Sequence, residues 1–488
     1  MPLNFLARSS GTLKGAGQVV ITLVACLLRG PHATAQSPFR DTLRLSVGQA
    51  VGLALKESDE VGLAAAQVAA ADALYGTARA NTLPQLRVTG AYTRVYESAR
   101  GQAVGSVFNQ PNSYAATANL SQTLFQGGKL VAATRAADQS RQAARYDERE
   151  QRALLTMQVQ RAYLQALYTD RITELQERNL ALAGVRLGQV EQFEKAGQAA
   201  RYDVLRARVE RANLEPLAIQ ARSDRELALL ELKRLVNIPI EQPLVLVSRI
   251  DPAAAAALLT AIDDQPQVAN RAAVRSAELT FEARTLGVAV ARADYFPTLS
   301  VFVQSGYQAF PAPGQGIPTS LGTLAAGNCP DGSPAGRLCQ NGGFFTDRQA
   351  GVSLSLPVFD GFRIRSNVDL AKAQARVAEL QLHQQREAVA LDTERSRAEL
   401  RRARAVFAAR RQNSAEADEA FRLASLRFTR GLSTQLEVSD AQFALLTAQS
   451  TEARATYDLF LASADLARAL GKPIPLPEPA NADAEPSR

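Results

Sequence analysis

Histidine is almost missing from this chain. Two occur in 488 residues, and one of them, His32, falls in the N-terminal targeting segment described below, which leaves His383. A histidine-based metal cluster or a Ser-His-Asp triad is therefore excluded. The three cysteines show no C-x-x-C or zinc spacing and are too few for a disulfide scaffold. Long hydrophobic runs are absent as well. The longest, Val19 to Leu28, is short of the ~18 apolar residues that a membrane helix needs. A helical membrane bundle is excluded. Basic blocks are missing too: the net charge of +7 comes mostly from Arg scattered among Glu and Asp. Without basic runs or interleaved aromatics, a solvated charged surface is expected and nucleic acid is not an expected partner. No G-x-x-x-x-G-K phosphate loop and no G-x-S-x-G elbow occurs, so neither an enzyme nor a self-powered transporter is expected, and no cofactor.

What remains is 46% hydrophobic and 21% charged, the balance of a folded protein. At about 150 residues per domain, length alone suggests roughly three domains. The N-terminus has the layout of an export signal. Arg8 and Lys14 precede the apolar Val19–Leu28, and Ala33-Thr34-Ala35 supplies a cleavage site before Gln36, giving a signal peptide over 1–35. A competing reading takes Leu23-Val24-Ala25-Cys26 as a lipobox with Cys26 lipidated. Cleavage after Ala35 is preferred, because the apolar core runs on through Leu27 and Leu28.

The mature chain is a tandem duplication. Residues 61–84 align with 274–297 at an offset of 213, ending Ala-Arg-Ala-Asn-Thr-Leu-Pro and Ala-Arg-Ala-Asp-Tyr-Phe-Pro. Leu124-Phe125-Gln126-Gly127 then matches Val358-Phe359-Asp360-Gly361 at 234, an offset that pairs Gly197 with Gly431, Val204 with Val438 and Pro239 with Pro473. Copy two thus carries the longer loop. The expected layout is a first repeat over 36–239, an inter-repeat segment over 240–261, a second repeat over 262–473 and a Pro-rich tail over 474–488.

Each copy reads as helix, two strands, very long helix, helix. Ser46 and Gln49 have capping-box spacing, and a first helix is expected from there to Thr82. No Gly or Pro lies between Gly361 and Gly431, which predicts one helix of about 100 Å. The matching span from Gly127 to Gly197 has the same length, with Gly184 and Gly188 as weak points. Period-two alternation marks four strands: Leu86, Val88, Tyr92 and Tyr96; a weaker case over Tyr114 to Phe125; Leu299, Val301, Val303 and Tyr307; and residues 350–356. Each has about the ten residues of a tilted membrane strand, with one apolar and one wettable face. Four strands cannot close a barrel, and open edges are not tolerated in hydrocarbon, so a barrel shared between chains is expected.

In these features the sequence resembles the TolC family of outer-membrane efflux channels. The duplicated A-R-A-x-x-x-P, the F-x-G turns at Phe125 and Phe359, and the repeated G-x-x-x-x-x-[DE]-V at Gly197 and Gly431 carry the likeness, which covers about residues 43–473. The resemblance implies a mainly α fold with a membrane β-barrel. In it a homotrimer builds a 12-stranded outer-membrane barrel, four strands per chain, continuing into a 12-helix periplasmic α-barrel. It also implies a mixed equatorial band, placed at 238–264 and the tail after Gly471. The implied partners are a periplasmic adaptor, an inner-membrane pump and outer-membrane lipid. The implied role is a passive exit duct of a tripartite efflux system for small molecules. Type I protein secretion is the alternative within the family, and a structural periplasmic coiled-coil spacer is the alternative outside it.

The resemblance also assigns sites. Adaptor docking falls on the turns at Gly197 and Gly431. The pore gate falls on Asp203, Glu437 and Asp440, nine carboxylates in a trimer of three each. Phe428 stands where a gate-bridging Tyr is expected and Ser433 where an Arg is expected, so Arg201 and Arg206 are the substitute partners for Glu437 or Asp440. Separately, Cys329 and Cys339 lie ten positions apart in a Gly-, Pro- and Asn-rich loop of an oxidising compartment, where a disulfide is expected.

Overall fold

The computed structural model describes residues 42–97, 99–104, 112–248, 271–311, 317 and 344–471. The export signal with Cys26, the Cys329–Cys339 loop, most of the inter-repeat segment and the C-terminal tail lie outside the described residues.

Copy one begins with β1 (Leu43–Leu45) and two helices, α1 (Val47–Glu57) and α2 (Asp59–Ala80). The capping box at Ser46 forms as expected: its hydroxyl accepts from the Gln49 N–H at 3.3 Å, and Gln49 accepts from the Ser46 N–H at 3.0 Å. The single helix expected to Thr82 is divided. Ser58 takes an extended backbone (φ −73°, ψ 134°), its hydroxyl accepts from the Glu60 N–H at 3.2 Å, and Asp59 and Glu60 fill the first turn that follows. A capping serine followed by two acids starts a helix more readily than it continues one.

The chain then forms β2 (Gln85–Arg94), a short α3 (Ala99–Val104), β3 (Asn112–Gln126), α4 (Lys129–Lys195) and α5 (Arg201–Val236). After β4 (Leu244–Leu246), copy two repeats the plan with α6 (Ala272–Ala293), β5 (Thr298–Ala309), β6 (Phe345–Ser355), α7 (Arg363–Thr429) and α8 (Gln435–Leu470). Both long helices have 67 residues and both following helices have 36. At 1.5 Å per residue each long helix is about 100 Å. Helix α4 runs unbroken through Gly184 and Gly188. It packs against α5, α6, α2 and α8, contacts that outweigh the roughly 1 kcal/mol each glycine costs in a helix.

The four long strands make one antiparallel sheet in the order β2-β3-β5-β6, so β2 and β6 are open edges. Its register puts Leu86 beside Leu120, Leu120 beside Val303 and Leu299 beside Leu354 on one face. On the other face Asn119 lies between Arg87 and Gln304, and Gln304 lies beside Gln349. The apolar face is bare within one chain: Leu86 is 68% exposed, Val88 73% and Leu354 70%. No helix among the described residues is long and apolar enough to cross a membrane.

The buried core lies where the short helices meet the long ones, well away from the sheet. Ala50 and Ala54 of α1 pack with Val159 and Tyr163 of α4 and Leu232 and Val236 of α5. Strand β1 pairs in parallel with β4, and the Tyr163 hydroxyl ties this small sheet down, donating to Leu45 O at 2.8 Å and accepting from the Ser248 N–H at 3.2 Å. A second cluster joins Leu400 and Phe407 of α7 to Leu459, Phe460 and Leu466 of α8.

Candidate functional site at the helix turns

Each long helix ends in the same way. Gly197 and Gly431 have φ of 71° and 73°. The Gly197 N–H donates to Glu194 O at 2.9 Å and the Gln198 N–H to Phe193 O at 2.8 Å; Gly431 and Leu432 repeat the pattern onto Phe428 O and Arg427 O. These paired bonds are the Schellman arrangement, which requires a left-handed residue that glycine adopts without strain. A Cβ at either glycine would meet no atom within 4 Å, so the backbone angle alone selects glycine here. Beside the turns, Tyr202 is 69% exposed and Leu432 67%, which makes both tips partly apolar.

The three acids expected at a gate have different surroundings. Asp203 sits in the first turn of α5 and its carboxylate accepts from the Ala200 N–H at 3.1 Å. Glu437 occupies the equivalent place in α8, where Thr434 caps the helix by accepting the Glu437 N–H at 3.4 Å. The Glu437 carboxylate lies 3.9 Å from Arg427, with both side chains about half exposed. Asp440, one helical turn on, is exposed and has no partner among the described residues. Within one chain, neither Arg201 nor Arg206 reaches Glu437 or Asp440. Arg201 pairs with Glu194 at 3.5 Å, since both stand on the same turn, and Arg206 is half-buried on α5. Phe428 is half-buried, and the Ser433 hydroxyl donates back to Ala424 O at 3.4 Å. The cation facing Glu437 is thus Arg427, supplied by the preceding helix.

Above the turns lies a polar cluster absent from the sequence expectations. Arg186 of α4 donates to the Ser439 hydroxyl at 2.9 Å and to the Gln442 amide oxygen, both on α8. The Gln442 amide donates in turn to Asn179, and the Ser439 hydroxyl to Glu210 of α5 at 3.2 Å. Gln442 is 5% exposed and Asn179 7%. Burial pulls the Arg186 guanidinium below its usual pKa, and Glu210, 3.5 Å away, opposes that shift. The cluster joins α8 to the α4–α5 pair. One signal was available for it in the duplication: the counterparts of Arg186, Glu210 and Ser439 in the other copy are Ala420, Ala444 and Leu205.

This geometry has no nucleophile–base pair, and no group of His, Cys, Asp or Glu among the described residues is placed to hold a metal. It offers two helical hairpin tips and a set of acids just above them.

Comparison with known proteins agrees with the fold. The model of the family described as outer membrane efflux protein matches residues 50–237 and 267–472. The pyoverdine export outer membrane protein OpmQ of Pseudomonas putida is 26% identical over 446 residues, covering 87% of this chain and 85% of that one. The outer membrane efflux protein BepC of Brucella suis is 23% identical over 455 residues, covering 93% and 90%. Among solved structures, the outer membrane protein VceC of Vibrio cholerae superposes with a TM-score of 0.69 at 20% identity, covering 88% of this chain and 97% of that one. The CmeC outer membrane channel of Campylobacter jejuni gives 0.70 at 17% identity, with 87% and 85% covered.

Proposed function

The chain belongs to the outer membrane efflux protein family, and from that membership we propose a homotrimeric duct that discharges small molecules delivered by an inner-membrane pump through a periplasmic adaptor. It is an outer-membrane efflux channel with a TolC-like fold, its sheet in the membrane and its long helices in the periplasm. The observation that carries the trimer is the sheet. It has four strands, a bare apolar face and two open edges, β2 and β6, a combination that hydrocarbon does not tolerate in a lone chain. Three copies joined edge to edge supply twelve strands and leave no free edge.

The sequence carries no phosphate-loop motif and the chain performs no chemistry in this reading; energy comes from the pump. The tips at Gly197 and Gly431 are the adaptor-docking surface, being exposed and partly apolar. The gate is a ring of carboxylates near the threefold axis, in which Glu437 and Asp440 act in the pore while Asp203 is already engaged as a helix cap. A charged ring of that kind favours cations. The test is single-channel recording in planar bilayers. The parent channel should conduct with a cation preference that E437A/D440A reduces more than D203A. A protein that inserts without conducting supports a spacer instead and defeats the duct.

A further inference from the structure

Inside the sheet, charges on the two faces are unequal. Among the described strand residues the polar face carries Arg87 and Asp347, whereas the apolar face carries Arg94 and Arg348 and no acid. Arg94 continues the alternation of Leu86, Val88 and Tyr92 on β2, and Arg348 that of Leu354, Val352 and Ala350 on β6. Within one chain the two arginines stand on opposite edges of the sheet. The duplication brings them together in the trimer proposed above, on which this inference rests. Strand β6 is the copy of β3 and β2 the copy of β5, so the seam where β6 meets the next protomer's β2 repeats the β3–β5 pairing. In that pairing Tyr114 lies opposite Ala309. Adding 234 to 114 gives Arg348, and subtracting 213 from 309 gives Tyr96. Carried two residues past the end of β2, that register sets Arg348 of one protomer opposite Tyr96 of the next. The Arg94 guanidinium lies 5.4 Å from that Tyr96 ring in its own chain, Tyr96 standing two residues past the end of β2.

Height decides what these groups can meet. Arg348 lies six residues from Leu354, which is 70% exposed at the helical end of the apolar face within β6. Six extended residues tilted by ~40° climb about 15 Å, more than half of the ~25 Å apolar band of a membrane barrel. Both arginines thus stand at the outer end of the lipid-facing face, Arg94 as the last residue of β2 and Arg348 as the fourth of β6. There an arginine costs about 0–1 kcal/mol, against about 2–4 at the midplane. The acid adjacent to Arg348, Asp347, belongs to the opposite, polar face, and Glu97 follows Tyr96 beyond the end of β2. Two guanidinium groups flanking a phenol, on an outward face with no carboxylate among its described strand residues, match a phosphate monoester with its hydroxyl neighbours.

We propose that each subunit seam carries a binding site for a phosphorylated glycolipid headgroup of the outer leaflet, formed by Arg348 of one protomer with Arg94 and Tyr96 of the next. The trimer holds three such sites. Bound lipid bridges two protomers, so it secures the β6–β2 edge that single-chain folding leaves open.

The test is native mass spectrometry of the detergent-solubilised trimer titrated with lipid A carrying both phosphates. Before lipid is added, the mass reports the trimer; a monomeric particle would sink the trimer reading itself and not merely this site. Up to three tight lipids per trimer are expected. R94Q/R348Q should weaken binding about 30-fold, from two surface cations at about tenfold or less each, and R94K/R348K should retain part of it. Dephosphorylated lipid A on the unaltered protein should bind no better than the double variant binds the phosphorylated form. Unchanged affinity in R94Q/R348Q, or equal binding of the dephosphorylated lipid, overturns the site. Full displacement by excess inorganic phosphate also overturns it, since the pocket would then be a free-anion site and not a lipid seat.

Discussion

Arg271 is the place where a single side-chain removal should do most damage. It stands at the residue before α6, its side chain is 7% exposed, and it bridges Glu150 of α4 at 3.2 Å and Asp392 of α7 at 3.0 Å. Arg468 of α8 completes the set, 2.6 Å from Asp392 and 3.9 Å from Glu150. Four helices meet at two cations and two anions, a neutral quartet. Taking away Arg271 leaves two carboxylates facing one guanidinium. Breaking a buried ion pair from one side costs about 3–5 kcal/mol, and Asp392, 31% exposed, recovers some hydration, which puts R271M near 3 kcal/mol. The cluster is imperfectly satisfied, since the Nε atoms of Arg271 and Arg468 have no hydrogen-bond partner. Replacing all four residues together with Met and Leu should therefore bring stability back to within about 1–2 kcal/mol of the parent. The assay is urea unfolding of the purified protein followed by far-UV circular dichroism, with slopes compared before midpoints are converted. A loss below about 1 kcal/mol for R271M, or a fourfold replacement worse than R271M, would refute the electrostatic account.

Other consequences are local. G197V and G431V force a β-branched residue into a left-handed turn, at roughly 1–2 kcal/mol each, and should weaken cross-linking to the native adaptor while trimers still assemble; unchanged cross-linking in both defeats the docking role. Cys329 and Cys339 should form a disulfide, so alkylation before reduction should label neither in peptide mapping; two labelled thiols would contradict it. Asp465 has its pKa raised by burial, with Arg161 opposing at 3.3 Å. A carboxyl that holds its proton more tightly when folded makes stability fall as pH rises through the carboxylate range. D465N should accordingly gain relative to the parent between acidic and neutral pH; a difference independent of pH would refute the assignment.

Much of the fold was legible because it is written locally. Sixty-nine residues without Gly or Pro can hardly be anything but one helix, and α7 fills 67 of them. Period-two alternation located all four membrane strands, and the duplication fixed the order of elements. The break at Ser58 was missed because alanine-rich sequence reads helical on both sides, although Ser58 with Asp59 and Glu60 carries the local signal of a helix start. The turns at Gly197 and Gly431 were legible for the same local reason as the helices. The Arg186 cluster was not, because Arg186 and Gln442 are 256 residues apart and no local pattern links them. The choice of Arg427 over Arg201 as the cation nearest Glu437 likewise depends on how α7 folds back onto α8, which helical spacing alone leaves open.

The central claim is that one membrane barrel is shared among chains, with β6 of one protomer paired to β2 of the next. The same transfer of register that places Arg348 at Tyr96 pairs Gln349 with Val95: Ala115 faces Gln308 within the chain, 115 plus 234 is 349, and 308 minus 213 is 95. V95C/Q349C in a background with Cys329 and Cys339 changed to Ser, oxidised in intact outer membranes and run without reductant, measures this directly. Cross-linked species of two and three chains, absent from either single cysteine variant, are the predicted result. A chain that stays monomeric after oxidation would contradict the shared barrel.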